Sequence, residues 1–167
     1  MVTVDLDDNP TGVMDKIDAH SNGGTLHRAF SIFVRDERGR ILLQRRASTK
    51  YHFGGYWTNT CCGHALPEED IAVTSAVRLW QEMGVCTALT AVAKFTYVAQ
   101  DERSGLTERE IDYVFTGTFH GAPVPNSEEV AEWRWISPDD LQRELAEFPD
   151  TFTPWFGPAL EAMSRSS

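Results

Sequence analysis

The pattern of apolar and polar residues predicts strands most clearly in the first third of the chain. Residues 28–35 and 40–46 are apolar runs of strand length, and the Asp-Glu-Arg-Gly segment between them, at 36–39, has turn composition. We therefore expect a β-hairpin over this part of the chain. Further runs of strand character cover residues 89–99, 108–120 and 133–136.

Helical periodicity predicts a helix from residue 67 to residue 83. Pro67 and the acidic residues after it suit a helix N-terminus, and Gly84 suits the position just past the end. The apolar stripe of this helix consists of Ala72, Ala76, Leu79, Trp80 and Met83. Arg78 and Glu82 lie together on a different face, where we expect a surface ion pair that stabilises the helix by about 0.2–0.5 kcal/mol.

Two more helices are expected near the C-terminus. Ser137 and Pro138 have the character of an N-cap followed by proline at the first helical position, and they open a helix to about residue 147. Thr153 and Pro154 repeat this signal for a last helix that ends near residue 165. Residues 1–27 are expected to be irregular, apart from residues 13–20, a segment too short to assign. The order of strands and helices predicts an α/β (α+β) domain with helices packed on a mixed sheet.

Composition limits the possible classes of function. With 167 residues the chain is one domain that can bury a core without disulfides. Its 25 acidic and 15 basic residues give a net charge of −10, which argues against a nucleic-acid-binding surface. No apolar run approaches the length of about 18 residues that a membrane span requires, and the acidic N-terminus does not resemble a signal peptide. We expect a cytoplasmic protein that binds neither nucleic acid nor membrane.

Cysteine usage and a local group of cations add two expectations. The neighbours Cys61 and Cys62 would form a strained disulfide, so reduced thiols in a reducing compartment are the simpler interpretation of three cysteines. Arg45, Arg46 and Lys50 form a basic cluster in an otherwise acidic chain. Such a cluster indicates an anion-binding site, and a solvated basic loop is the alternative.

Three histidines in two separated segments are candidate metal ligands. His20 and His27 flank the helix-breaking segment 22–24, Asn-Gly-Gly, so we expect them to converge from the two sides of a bend. His64 ends the stretch Trp57-Thr-Asn-Thr-Cys-Cys-Gly-His64. A lone histidine is usually structural, whereas three that meet indicate a metal site.

Glu108 and Glu110 strengthen this hypothesis. Their spacing of two on a predicted strand puts both carboxylates on one face and Arg109 on the other. Two like charges side by side are unfavourable unless a cation neutralises them or one of them is protonated. An exposed strand end is the alternative interpretation. With the histidines, the two glutamates make a mixed nitrogen and oxygen donor set that suits Mn²⁺, Zn²⁺ or Mg²⁺.

Cys62 is the candidate for acid–base chemistry. It precedes Gly63 and His64 at a predicted junction of loop and helix, where a nearby cation and a helix N-terminus would lower its pKa from about 8.5. A small core residue is the alternative interpretation. Cys61 diverges from Cys62 and is expected to be structural, and Cys86, which follows the helix, is expected in the core.

The segment from Gly63 to Val85 is similar to a Nudix box with the spacing Gly63-x5-Glu69-x7-Val-Arg-Leu-Trp-Gln-Glu82-Met-Gly-Val. The Nudix pattern has Arg-Glu at 77–78 and Glu-Glu at 81–82, and only Glu82 remains of these four. Joined to the cysteine, histidine and glutamate motifs above, this degraded box resembles the type 1 isopentenyl-diphosphate Δ-isomerase family. The resemblance covers residues 16–155. It implies a Nudix-like α/β/α sandwich with a mixed sheet, a core at about residues 26–160, and a metal ligand from residues 1–25, all within a single domain.

The resemblance also implies roles for individual residues. The ligands it implies for a Mn²⁺, Zn²⁺ or Mg²⁺ ion are His20, His27, His64, Glu108 and Glu110. Cys62 and Glu110 are implied to work on opposite faces of the allylic carbons, with Tyr97 within reach. A Mg²⁺ ion that arrives with the diphosphate is implied to meet Glu82 and the backbone carbonyl of Cys62. The residues implied to surround the substrate are Lys16, Arg46, Lys50, Arg78, Trp57 and Trp155.

The function implied by the resemblance is the metal-dependent interconversion of isopentenyl and dimethylallyl diphosphate. The enzyme would be a monomer or weak dimer, and its partner would be this small-molecule substrate. A Nudix-type diphosphate hydrolase is the alternative, but it needs the acidic pattern that Val77, Arg78 and Gln81 displace. A non-catalytic module that binds a diphosphate would have no reason to keep Cys62 and Glu110 together with three histidines.

Overall fold

A computed structural model describes residues 1–165 of the chain. These residues form nine strands, four α-helices and a short 3-10 turn at Pro149–Thr151. The strands are β1 (Val2–Val4), β2 (Pro10–Val13), β3 (His27–Arg35), β4 (Ile41–Arg46), β5 (Trp57–Thr58), β6 (Cys61–His64), β7 (Thr90–Gln100), β8 (Thr107–Thr118) and β9 (Val130–Ile136). The helices are α1 (Lys16–His20), α2 (Ile71–Met83), α3 (Pro138–Glu147) and α4 (Phe156–Ser164).

Strand β3 lies at the centre of the fold. β8 runs parallel to it, from His27 opposite Glu110 to Arg35 opposite Thr118. β6 pairs antiparallel with β3 along its other edge, and β7 extends the sheet beyond β8. β1 joins the start of β3 and pairs with β2. Parallel and antiparallel pairs therefore occur in one sheet, which confirms the expected mixed sheet.

β4 belongs to a second set of strands. The predicted turn between β3 and β4 is present, because the Asp36 carboxylate accepts hydrogen bonds from the backbone N–H groups of Arg38 (2.9 Å) and Arg40 (2.8 Å). After the pair between Arg35 and Ile41 the two strands part, and β4 pairs instead with β5 and β9. The hairpin prediction was right for the turn and wrong for the pairing that follows, because an apolar run does not specify its partner strand.

Helices cover the sheet on both sides through two separate hydrophobic clusters. The buried residues of the cluster under α2 include Phe30, Ile32, Leu79, Met83 and Phe115. Those of the cluster under α3 and α4 include Phe33, Leu43, Leu141, Phe156 and Met163. Successive strand residues point to opposite faces, so neighbouring residues of β3 enter different clusters. The α/β/α sandwich is confirmed. None of the helices within residues 1–165 has both the length and the apolar character to cross a membrane.

Helix α2 begins later than the sequence predicted. Asp70 is its N-cap, and its carboxylate accepts hydrogen bonds from the backbone N–H groups of Ala72 (2.8 Å) and Val73 (3.4 Å). Residues 67–69 therefore lie in the preceding turn. Gly84 ends the helix in the left-handed conformation (φ 64°), as expected.

The face that α2 turns inward also differs from the prediction. Its buried residues are Thr74, Ser75, Leu79, Glu82 and Met83. Ala72 and Ala76 of the predicted apolar stripe are exposed, and Trp80 is 62% exposed. Leu79 and Met83 of that stripe are buried as predicted, but part of the inward face lines a polar cavity, described below, so hydrophobicity marks only part of the buried side of this helix.

Of the first 27 residues, those expected to be irregular form β1 and most of β2, and the unassigned segment 13–20 contains α1. Asp8 pins the β1–β2 hairpin to the main sheet. Its carboxylate binds Arg28 Nε at 2.7 Å and Lys94 Nζ at 3.0 Å, and accepts a hydrogen bond from the hydroxyl of Tyr113. These partners lie between 20 and 105 residues away in the sequence, so no local pattern predicts them.

The two C-terminal helices test two cap predictions. Ser137 Oγ accepts a hydrogen bond from the backbone N–H of Asp140 (3.2 Å), so the predicted cap of α3 is confirmed. α4 begins at Phe156, without a side-chain cap, and not at the predicted Thr153. The Thr153 hydroxyl instead makes a buried hydrogen bond with the hydroxyl of Thr58, at 2.8 Å.

The packing of α2 makes opposite predictions for two neighbouring residues. Leu79 is 1% exposed and Trp80 is 62% exposed. We expect Leu79→Ala to lower the free energy of unfolding by about 2–5 kcal/mol because it leaves a cavity. We expect Trp80→Ala to change it by about 0.5 kcal/mol or less, as for other surface positions. Urea unfolding followed by circular dichroism measures both, and equal losses would contradict this packing.

Candidate functional site

A cavity of about 600 Å³ lies where α1, α2, β6 and β8 meet. Its ionisable lining residues include Lys16, Arg46, Lys50, His52, His64, Arg78, Glu82, Glu108, Glu110, Asp112 and Glu129. Cys62, Tyr97 and Trp155 line it as well. His20 and His27 are completely buried, and their rings contact that of His64 with centroids 5.2 and 5.0 Å apart. Except for Trp57, the residues predicted for the site therefore lie together.

The three histidines and two glutamates form one compact cluster. Its members are His20, His27, His64, Glu108 and Glu110, and one ligand-type atom of each lies within 4.8 Å of those of the others. Strand register explains much of this meeting. On β3, His27 is opposite Glu110 of β8, and Ala29 is opposite His64 of β6. Glu108 and Glu110 share the buried face of β8 while Arg109 is exposed, as the period of two predicted.

The bend between His20 and His27 is also confirmed. Asn22, Gly23 and Gly24 all have positive φ (53°, 88° and 76°), which turns the chain from α1 into β3. The backbone N–H of Thr25 closes the bend by donating to the carbonyl of Ala19 at 2.7 Å. The chain then enters β3 with His27 beside the end of α1.

Backbone carbonyls fix the orientation of two of the imidazoles. His20 Nδ1 lies 2.6 Å from the carbonyl oxygen of Lys16, and His27 Nδ1 lies 2.7 Å from that of Thr25. A carbonyl oxygen can only accept, so each Nδ1 carries the proton. Each Nε2 is then turned toward the glutamates of the cluster, which is the arrangement that metal-binding histidines adopt.

The cluster has the properties of a metal site. Glu108 Oε2 lies 2.7 Å from His20 Nε2, yet neither atom has a hydrogen-bond partner of acceptable geometry among residues 1–165. Glu110 Oε1 lies 2.9 Å from His64 Nε2 and 3.3 Å from His27 Nε2. Buried polar atoms without partners are costly. A divalent cation bound by these nitrogen and oxygen atoms would satisfy them, so the residues present fit a metal ion.

The ionisation of Glu108 favours cation binding, and the raised pKa of His64 shows how strongly the two glutamates attract positive charge. Burial by itself would raise the pKa of Glu108, but its contacts with His20, His52 and His64 hold that pKa well below its usual value. Burial lowers the pKa of His64, and the two glutamates outweigh this effect, so the net pKa is raised. Glu108 is therefore an anion at neutral pH.

The second oxygen of each glutamate faces a residue outside the cluster. Glu110 Oε2 accepts a hydrogen bond from the Tyr97 hydroxyl, and Glu108 Oε1 contacts His52 Nε2. Tyr97 stands directly opposite Glu110 in the pairing of β7 with β8. Burial, followed by the charge of Glu110, raises the pKa of Tyr97 well above its usual value, so the phenol keeps its proton.

Cys62 lies in β6, opposite Ser31 of β3. The predicted loop–helix junction is absent, since α2 begins only at Ile71. Burial raises the pKa of Cys62 to about 12, although Arg46 Nη1 lies 3.7 Å from its sulfur. The predicted fall in this pKa was therefore wrong, because desolvation of the thiolate outweighs the nearby guanidinium.

Of the other two cysteines, the predicted position was correct for Cys61 and wrong for Cys86. Cys61 is completely buried in the cluster under α2, as expected of a structural residue. Cys86 was expected in the core, but it is exposed. It follows the left-handed Gly84, which redirects the chain at the end of α2.

Four cations line the cavity of this acidic protein, namely Lys16, Arg46, Lys50 and Arg78. Two of them form ion pairs with carboxylates. Lys50 forms an ion pair with Glu129, and Arg78 forms one with Glu82. Glu82 is 3% exposed and also accepts a hydrogen bond from Gln44 Nε2 at 3.1 Å. The pair of Arg78 and Glu82 was expected at the surface, and this was wrong because α2 turns it into the cavity.

The other two cations of the cavity are Lys16 and Arg46, and Arg45 of the predicted basic cluster lies outside it. Burial, followed by the charge of Lys50, lowers the pKa of Lys16. Arg46 Nε donates to the carbonyl of Phe53 at 3.2 Å. Arg45 points away and pairs with Glu132 on the surface at 2.7 Å. Only part of the predicted cluster therefore belongs to the cavity.

The two predicted tryptophans differ in position. Trp155 is 3% exposed, and the guanidinium carbon of Arg46 lies 5.4 Å from its ring centroid. Trp57 is not among the residues that line the cavity. It packs against the cluster under α3 and α4, with the Arg134 guanidinium 4.3 Å above its ring. The structure corrects the substrate-binding prediction for Trp57, because β5 holds this residue at a different face.

Several cavity residues were not predicted, among them His52, Asp112 and Glu129. His52 and Glu129 lie in loops without a sequence pattern, so only their contacts reveal them. Asp112 continues the spacing of two from Glu110, and this signal was available in the sequence. Ser31 Oγ donates to Asp112 Oδ2 at 2.7 Å. Burial, followed by the charge of Glu110, raises the pKa of Asp112 well above its usual value.

Comparison with known proteins decides the family. The NUDIX domain model matches residues 25–156. An isopentenyl-diphosphate Delta-isomerase from Halorhodospira halophila is 45% identical over 157 residues, which cover 93% of this chain and 90% of that protein. One from Burkholderia multivorans is 46% identical over 156 residues, covering 93% and 88%. The chain belongs to the Nudix superfamily and, within it, to the type 1 isopentenyl-diphosphate Δ-isomerase family.

Solved structures agree with the Nudix fold. A Deinococcus radiodurans protein superposes with a TM-score of 0.76 over 96% of this chain and 97% of its own, at 15% identity. The MutT protein of Methanosarcina mazei gives a TM-score of 0.68 over 84% and 94%, at 21% identity. At these identities the likeness concerns the fold alone.

The histidine and glutamate cluster predicts a stabilising metal ion in this isomerase-family protein. We expect one Mn²⁺, Zn²⁺ or Mg²⁺ ion per chain, and at a free concentration about 100 times Kd it would stabilise the folded state by about 2.7 kcal/mol. Glu108→Gln should lose this ion and the rise in Tm that it causes. His120→Gln is the matched control, because His120 is exposed and contacts Glu37. Metal analysis after dialysis and thermal unfolding measure both effects, and a wild-type protein without bound metal would contradict the prediction.

Proposed function

We propose that this protein interconverts isopentenyl diphosphate and dimethylallyl diphosphate. The observation that carries the proposal is a single cavity lined by the half-buried thiol of Cys62, by a hydrogen-bonded Tyr97–Glu110 pair and by four cations, beside a candidate metal centre. Relatives that are 42–46% identical over most of the chain carry the name of this isomerase. The reaction needs each of these parts.

The cations would bind the diphosphate. Lys16, Arg46, Lys50 and Arg78 line the same cavity, and charged hydrogen bonds from such groups are strong contacts for phosphate oxygens. Glu82 lies among them, so a Mg²⁺ ion that accompanies the diphosphate would meet its carboxylate, together with the backbone carbonyl of Cys62. Diphosphate oxygens would then replace the carboxylates that pair with Lys50 and Arg78 in the free protein.

Moving the double bond requires one proton to be added to the terminal alkene carbon and another to be removed from the carbon on the other side of the cationic centre. Cys62 and the Tyr97–Glu110 pair are the groups that can do this. Cys62 holds its proton at neutral pH, because burial raises its pKa to about 12. Tyr97 likewise keeps its proton, which it shares in a hydrogen bond with Glu110 Oε2. Because the reaction is reversible, each group acts as acid in one direction and as base in the other.

The metal centre would act through Glu110. His20, His27, His64, Glu108 and Glu110 would hold a Mn²⁺, Zn²⁺ or Mg²⁺ ion. When bound, this ion supplies positive charge that polarises the carboxyl group. The protein itself keeps Glu110 Oε1 toward the histidines and Oε2 toward Tyr97, so the proton-transfer side of the carboxyl group stays separate from the metal side.

Trp155 would protect the intermediate. Addition of a proton to the alkene gives a tertiary carbocation, and an aromatic face stabilises a nearby cation by about 0.5–2 kcal/mol. Trp155 is buried at the cavity, with its ring centroid 6.4 Å from that of Tyr97. It would also keep water away from the cation.

Hydrolysis of the diphosphate finds less support. At the acidic positions 78, 81 and 82 of the Nudix box, this chain has the cation Arg78, the neutral Gln81 and Glu82. α2 thus brings the single carboxylate of Glu82 to the cavity.

The remaining expectations are part of the same proposal. The three cysteines are free thiols, which fits a reducing cytoplasm. We propose a monomer or weak dimer that acts on a small molecule and binds neither nucleic acid nor membrane.

The isomerase activity has a direct test in proton NMR. The protein with isopentenyl diphosphate and Mg²⁺ in D₂O should produce deuterated dimethylallyl diphosphate, because the added proton comes from exchangeable groups. Chelation of the metals should stop this production. Release of inorganic phosphate would instead establish the hydrolase, and unchanged substrate with folded, metal-loaded protein would refute both activities.

The role of Cys62 has a separate test. We expect Cys62→Ser to lower kcat by about 10²–10⁴-fold, the usual contribution of a positioned acid or base. Cys86→Ser is the matched control, because Cys86 is exposed and lies outside the cavity, and it should keep full activity. Metal content and thermal unfolding should be unchanged in both variants. A Cys62→Ser enzyme with wild-type kcat would exclude the thiol from proton transfer.

A further inference from the structure

The two oxygens of Glu108 have different surroundings. Oε2 faces the histidines of the cluster, 2.7 Å from His20 Nε2 and 3.8 Å from His27 Nε2. Oε1 faces the opposite way and contacts Nε2 of His52. The carboxylate is therefore held between the candidate metal centre and a fourth histidine that neither the sequence pattern nor the metal-ligand set includes.

The position of His52 is set by its loop. Its carbonyl accepts a hydrogen bond from Arg46 Nη2 at 3.2 Å, and the backbone N–H of the next residue, Phe53, donates to Asp101 Oδ2 at 3.3 Å. The ring is 6% exposed and packs against Tyr51, with centroids 4.1 Å apart. These contacts do not involve Glu108. The loop therefore places the imidazole independently of the carboxylate that it contacts.

His52 does not belong to the ligand set itself. Its Nε2 is engaged with Glu108 Oε1, on the side of the carboxylate away from the other histidines. Its Nδ1 has no partner among residues 1–165. The five ligand-type atoms that lie within 4.8 Å of one another do not include an atom of this ring.

We propose that His52 is a positioning residue for the metal centre, which donates from Nε2 to Glu108 Oε1 and thereby keeps Oε2 directed at the histidines. The inference rests on the metal centre of the proposed function. Tyr97 offers a parallel, because it binds Oε2 of Glu110 while Oε1 faces the histidines. Each glutamate thus has one oxygen for the metal and one for an orienting donor, and such donors commonly change metal affinity by about 10–100-fold.

Two substitutions at His52 separate donation from packing. His52→Leu fills the space but cannot donate, so Glu108 loses its anchor. His52→Gln keeps an N–H donor at a similar distance from the backbone. The matched control is His120→Leu, which removes an exposed histidine that contacts Glu37. All three are made in the full chain, and circular dichroism of the metal-free proteins checks that each is folded.

The readouts are the affinity for Co²⁺ and Mn²⁺, measured by competition with a chelator without substrate, and the visible absorption spectrum of bound Co²⁺. We expect His52→Leu to weaken binding by about 10–100-fold and to change the Co²⁺ spectrum. His52→Gln should recover most of the affinity and the wild-type spectrum. His120→Leu should match the wild type in both readouts.

Other outcomes overturn the inference in distinguishable ways. Unchanged affinity and spectrum in His52→Leu would remove His52 from the metal centre while leaving the centre intact. A loss in His52→Gln as large as that in His52→Leu would show that the imidazole acts as more than a donor. A wild-type chain that binds neither metal would refute the centre itself. Isomerase activity enters none of these measurements, so its failure would be seen separately.

Discussion

The parallel pairing of β3 with β8 is the constraint on which the rest of the site depends. It sets His27 opposite Glu110, and the pairing of β6 on the other edge of β3 brings in His64 two residues further along. A shift of either register by one residue would turn the side chains to the opposite face. The carboxylates would then leave the histidines and enter a hydrophobic cluster. Four of the five clustered side chains therefore come from the sheet, and α1 supplies the fifth, His20.

The same pairing creates an electrostatic problem that the protein solves differently at each residue. Glu108, Glu110 and Asp112 share one buried face of β8. Contacts with histidines hold the pKa of Glu108 down against the effect of burial. Burial and the neighbouring Glu110 raise the pKa of Asp112, which Ser31 also binds. The pKa values of two acids on one face are thus shifted in opposite directions, and a bound cation would offset the repulsion that remains.

The sequence predicted those parts of the site that depend on local backbone geometry. A period of two separates Glu108 and Glu110 from Arg109 whatever the strand packs against, and this prediction was confirmed. The Asn-Gly-Gly segment at 22–24 breaks a helix by its own conformational preference, and the bend that brings His20 to His27 was confirmed as well. In both cases a few consecutive residues determine the outcome, so no distant partner is needed to predict it.

What the sequence did not predict depends on partners that are distant along the chain. Glu82 is buried because Arg78, one turn away, and Gln44, 38 residues away, both bind its carboxylate. Hydrophobic periodicity finds only part of the buried face of such a helix, Leu79 and Met83 here, since a helix that lines a polar cavity also turns charged residues inward. The loss of acidic residues from the Nudix box in the same helix was the better guide. It predicted that α2 offers one carboxylate where a Nudix hydrolase needs several, and this difference in charge separates proton transfer from hydrolysis on a shared fold.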